Sequence, residues 1–133
     1  MSEAPRILVV DDSHDLRELL TAGLRSAGYQ VITASDGEEA LLVATTLVPR
    51  LIILDIMMPI MNGWEFLRDV RKVAQLKDTK VMVLTAIGAS IGEATSELAG
   101  ADAHMDKPFA FTELLATVAE LIGPAGPPVE TGV

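Results

Sequence analysis

The sequence predicts an α/β fold, a doubly wound parallel sheet with helices on both faces. Three observations carry this. Residues 7–10, 51–54 and 81–84 are continuous apolar runs, too short for buried helices, and so read as strands covered on both sides. Between such runs, apolar residues recur at helical spacing. The two patterns alternate through short connections, the layout of parallel strands joined by right-handed crossovers. Five strands and five helices use up the 133 residues as one domain.

The first strand, 6–10, ends on Asp11 and Asp12. Ser13 is placed to cap the next helix, whose stripe is Leu16, Leu19, Leu20 and Leu24, and Gly28 stops it as a left-handed residue. Residues 29–34 read as a short strand. Asp36 with Glu39 gives a capping-box-like start to a helix carrying Ala40, Leu41, Val43, Ala44 and Leu47, and Pro49 ends that segment. The run 51–54 then delivers Asp55, followed by Pro59 and the turn signal Asn62-Gly63. A third helix is expected over about 64–74, on Phe66, Leu67, Val70 and Val73.

Strand 80–84 ends on Thr85. Segment 86–99 contains Gly88 and Gly92, each about 1 kcal/mol worse than Ala inside a helix, so a short or mobile helix is expected there. Residues 103–106 form a weak last strand leading to Lys107-Pro108. Thr112 opens a final helix through Leu114, Leu115, Val118, Leu121 and Ile122. Residues 1–5 are expected to be disordered, 6–122 to be the folded unit, and the Pro/Gly-rich 123–133 to be a linker or a plain disordered tail.

Composition narrows the function. A net charge of −9 argues against a broad basic surface for nucleic acid, while tolerating a cationic partner or a metal ion. No apolar run approaches the ~18 residues that span a bilayer, and residues 1–6 lack a secretory pattern. The absence of cysteine excludes disulfides and thiolate metal sites. A cytoplasmic protein is expected.

Chemistry is expected where the strands end. Asp11 and Asp12 follow the first strand, Asp55 the third, Thr85 the fourth and Lys107 the fifth, and in a parallel sheet these ends share one edge, where ligands bind. Alone, Asp55 reads first as a turn cap, and Asp11 with Asp12 as an acidic helix N-terminus. Those readings leave the rest of the set unexplained. Carboxylates within ~4 Å of each other repel by roughly 4 kcal/mol per pair at an effective dielectric of 20, which demands a cation. Oxygen ligands with room for water suit Mg²⁺ better than Zn²⁺, and His14 and His104 are badly placed for a zinc pair. Carboxylates, a divalent ion, an ammonium and a hydroxyl together fit phosphoryl transfer, with Asp55 the best candidate nucleophile.

Through Val9-Val10-Asp11-Asp12-Ser13, Leu54-Asp55-Ile56-Met57-Met58-Pro59, Leu84-Thr85-Ala86 and Gly100-Ala101 to Lys107-Pro108-Phe109, the chain resembles the CheY-like receiver domains of bacterial two-component response regulators. The resemblance covers about residues 6 to 122. It implies a flavodoxin-like strand order 2-1-3-4-5. It makes Asp55 the phosphoacceptor and a histidine kinase or phosphotransfer protein the donor. Mg²⁺, with Mn²⁺ as a substitute, is held by Asp12, Asp55 and the backbone carbonyl of Met57, with Asp11 binding directly or through water. Thr85 and Lys107 hold the phosphoryl oxygens, and the Lys107-Pro108 bond is cis. Phosphorylation then draws Thr85 inward and shifts the surface made by the fourth helix, fifth strand and fifth helix. A downstream target, a fused output domain or a phosphorylation-dependent homodimer reads that change. Such a domain catalyses only its own phosphorylation and dephosphorylation and is no metabolic enzyme.

Three residue choices depart from the usual family pattern. The switch position three residues before the lysine, commonly Tyr or Phe, is His104, which reads equally as a surface histidine and as a pH-sensitive switch. Met57 and Ile87 offer no polar group to an attacking water, so slow self-hydrolysis is expected. The small residues of 88–99 point to a mobile output surface. Trp64 reads first as a packing residue near the site loop.

Two rival readings share the chemistry or the fold. A haloacid-dehalogenase-like phosphohydrolase would carry Asp-x-Asp after the first strand, where this chain has adjacent Asp11 and Asp12. A degenerate receiver that only docks would be expected to lack some of the five site residues, and all are present. A nucleotide switch is excluded, because no phosphate loop of the Gly-x-x-x-x-Gly-Lys-Ser/Thr type exists.

Overall fold

The computed structural model describes residues 4–55, 63–85 and 101–124. Along the chain run β1 (Arg6–Val10), α1 (His14–Ser26), β2 (Gln30–Ala34), α2 (Gly37–Leu47), β3 (Leu51–Asp55), α3 (Gly63–Lys72), a 3-10 turn (Ala74–Leu76), β4 (Lys80–Thr85), β5 (Ala103–Asp106) and α4 (Phe111–Ile122). The strands form one sheet in the order β2-β1-β3-β4-β5, with every pairing parallel. The α/β class and strand order expected from sequence are therefore observed. Four α-helices lie among the described residues; the helix expected in 86–99 lies outside them.

Strand alternation sorts the core into two layers. Leu8, Val10, Ile52 and Leu54 face Ala40 and Ala44 of α2 and Phe66, Leu67 and Val70 of α3. Ile7, Val9, Leu51 and Ile53 face Leu20 and Leu24 of α1 and Leu114 and Val118 of α4. All five residues of β3 are buried, which places that strand at the centre and makes its terminal Asp55 a deeply held carboxylate.

Local signals act as expected at most boundaries. Ser13 Oγ accepts from the Leu16 N–H (3.3 Å), and Gly28 adopts φ 100° after α1. Asp36 Oδ1 accepts from the Glu39 N–H (2.8 Å), while the Glu39 carboxylate reaches back to the Ser35 N–H (2.8 Å). Two boundaries move. Val73 is extended (φ −88°, ψ 119°), so α3 stops at Lys72 and a separate 3-10 turn follows. The last helix starts at Phe111, ahead of Thr112, because the Glu113 carboxylate accepts the Ala110 N–H (3.3 Å).

Candidate functional site

The parallel register brings the predicted residues to one edge. Val10 of β1 pairs with Leu54 of β3, so Asp11 and Asp55 leave adjacent strands side by side. Thr85 is the last residue of β4 and pairs with Asp106 of β5, directly before Lys107. The Lys107-Pro108 peptide is cis.

Asp11, Asp12 and Asp55 each offer a carboxylate oxygen within 4.8 Å of the others. Asp11 is 1 % exposed and Asp55 5 %, while Asp12 lies open to solvent. Lys107 Nζ donates to Asp55 Oδ2 (3.0 Å) and lies 3.9 Å from Asp11 Oδ2. Among the described residues, one ammonium thus faces two buried carboxylates. Met57 and Ile87 lie outside the described residues, as do the side chains of Thr85 and Trp64. His104 is exposed on β5, in register with Val83.

Asp11 is held on three sides. Its N–H donates to Ala34 O (3.2 Å), and its Oδ1 accepts from the Ser13 N–H (2.8 Å). Its carbonyl accepts from Arg17 Nη1 (2.7 Å). Among the described residues its Oδ2 is buried with no hydrogen-bond donor. Burial pushes this carboxyl up from 3.8 to about 6; the Ser13 N–H pulls it down, the Asp55 charge raises it, and Lys107 lowers it. A buried acceptor without a donor, beside two more carboxylates, fits a hard cation taking oxygen ligands.

Arg17 is the site residue that sequence reasoning passed over. A signal was available, since a cation in the first half of a helix opposes the macrodipole and calls for a specific partner. The stripe expected on Leu16, Leu19, Leu20 and Leu24 is corrected at one position: Leu16, Leu20 and Leu24 pack against the sheet, while Leu19 is 63 % exposed.

Comparison with known proteins agrees with this fold. The response regulator receiver domain family profile matches residues 7–119. The transcriptional regulatory protein PrrA of Mycobacterium tuberculosis is 42 % identical over 119 residues, covering 90 % of this chain and 50 % of that protein. Chemotaxis protein CheY4 of Vibrio cholerae superposes with a TM-score of 0.85 at 36 % identity, covering 90 % of this chain and 99 % of the other. Response regulator TrrA of Thermotoga maritima, whose structure is a complex with Mg(2+)-BeF, gives a TM-score of 0.78 at 42 % identity, covering 89 % and 99 %. The chain spans about half the length of the curated relatives it matches.

Proposed function

This chain belongs to the response regulator receiver domain family, and from that premise we propose that Asp55 accepts a phosphoryl group from a phosphohistidine of a partner kinase or phosphotransfer protein. The observation that carries the reading is Asp55 itself: a carboxylate buried at the end of the central strand, 3.0 Å from Lys107 Nζ and beside Asp11 and Asp12. An Asp55 oxygen forms a bond to phosphorus as the P–N bond breaks, and that electron pair leaves with the imidazole nitrogen. Lys107, freed from the carboxylate, holds a phosphoryl oxygen, and Thr85 at the end of β4 supplies a hydroxyl to another. Asp11, Asp12, Asp55 and the Met57 carbonyl hold a Mg²⁺ ion, for which Mn²⁺ can substitute. When bound, that ion neutralises charge on the phosphoryl oxygens. Burial of Asp55 and Asp11 keeps these charges in a setting where each interaction is stronger than in water.

The acyl phosphate then biases the surface around 86–99, β5 and α4, with Thr85 and His104 as the residues that move. A downstream protein, a fused output domain or a second copy reads it.

Intact mass after incubation with acetyl phosphate, with and without Mg²⁺, tests this on wild type and Asp55→Asn. A single phosphoryl adduct that needs Mg²⁺ and is lost in the variant is expected. Failure to form the adduct under any condition sinks the phosphoacceptor reading and leaves docking of the unmodified domain.

A further inference from the structure

The geometry points to Arg17 as a positioning residue for the cation site, an inference that rests on the functional reading above. Three of the four polar atoms of Asp11 have separate holders. Ala34 O takes the N–H, the Ser13 N–H takes Oδ1, and Arg17 Nη1 takes the backbone carbonyl at 2.7 Å. Oδ2 alone is left, buried and without a hydrogen-bond donor among the described residues, facing Asp55 and Lys107.

Arg17 closes this arrangement into a ring. Its own N–H donates to Ser13 O (3.0 Å), and Ser13 in turn grips Asp11 Oδ1. The first turn of α1 therefore fastens the loop after β1 at two points, once through backbone and once through the guanidinium. With the backbone and Oδ1 fixed, the Asp11 side chain has one way to point. Preorganising a carboxylate in this way removes the ordering cost that cation binding would otherwise carry. Without Arg17 the Asp11 carbonyl, part-buried, loses its charge-assisted donor, and the loop carrying Asp11 and Asp12 gains freedom.

The sign of the effect separates positioning from plain electrostatics. Arg17 is a cation near a cation site, so deleting its charge should tighten Mg²⁺ binding if charge were its only contribution. A positioning role predicts the reverse.

Calorimetric titration with Mg²⁺ tests this on wild type, Arg17→Ala, Arg17→Gln and Arg17→Lys. Tyr29→Phe, remote from the site, serves as a control for general loss of stability. Arg17→Ala is expected to weaken Mg²⁺ binding by about tenfold, with partial recovery in Arg17→Lys, which keeps a charged donor on a shorter reach. Tyr29→Phe should bind as wild type does. In the cation-free protein, Arg17→Ala should also speed amide exchange at Ser13. Unchanged or tighter Mg²⁺ binding in Arg17→Ala and Arg17→Gln overturns the positioning role alone. A wild type that takes up no Mg²⁺ overturns both this inference and the functional reading beneath it.

Discussion

The ring of Phe111, the first residue of α4, fills the space that a side chain on Gly23 of α1 would occupy. A Cβ built at Gly23 would stand 2.2 Å from Phe111 Cζ and under 3 Å from two further ring atoms. Glycine inside a helix costs about 1 kcal/mol relative to alanine, and here that cost admits an aromatic knob between the two helices that cover one face of the sheet.

Gly23→Ala is therefore expected to destabilise the protein despite its better helix propensity, by about 1–3 kcal/mol through overpacking. Chemical denaturation of Gly23→Ala, Phe111→Leu and the double variant checks this. The double variant should be more stable than the sum of the two single losses implies. Strict additivity would mean that the ring does not constrain position 23.

Tyr29 ties the start of β2 to the end of α4, its hydroxyl donating to Gly123 O (2.8 Å) across 94 residues of chain. The ring is 2 % exposed, and burial raises the hydroxyl above its usual value of 10.0, keeping it a donor at any physiological pH. Tyr29→Phe should cost about 1 kcal/mol, with the carbonyl left to find water. The urea midpoint should fall with an unchanged slope, and a proteolytic cut near residue 123 should become faster.

Asp11 gives the cation-free protein a pH signature. Its folded-state carboxyl is raised from 3.8 to about 6, so the folded protein holds this proton more tightly than the unfolded chain. The stability it contributes is fully present below about pH 4 and is lost as pH rises through 6, a loss of about 3 kcal/mol at 1.36 kcal/mol per unit. Comparing wild type with Asp11→Asn isolates that slope: without Mg²⁺, the variant should gain on wild type between pH 4 and pH 7. Saturating Mg²⁺ at pH 7.5 should stabilise wild type much more than the variant.

Thr21 Oγ1, on α1, is buried without a hydrogen-bond partner among the described residues. Replacing the hydroxyl by a methyl removes an unsatisfied group at nearly constant volume. Thr21→Val should raise stability by about 1 kcal/mol in thermal unfolding, and a loss would show that the hydroxyl is satisfied in solution.

Sequence alone determined the frame of this protein because the frame is encoded locally. The run Leu51–Leu54 ending on Asp55 specified a central buried strand, and Ser13, Gly28, Asp36 and Glu39 marked helix boundaries through hydrogen bonds within a few residues. Strand ends that share an edge then brought Asp11, Asp12, Asp55 and Lys107 into one cluster, as their spacing foretold. What only the tertiary structure decided are relations between distant surfaces. The knob of Phe111 over Gly23, the bond from Tyr29 to Gly123, and Asp102 accepting from both Val81 N–H and Arg71 depend on how helices settle against the sheet. The same holds for Arg17, whose guanidinium could equally have pointed to solvent until the loop after β1 turned its Asp11 carbonyl toward it. Periodicity and caps are short-range and survive in a one-dimensional string. Close packing is a property of the assembled volume, and it fixes which atom of each residue meets which.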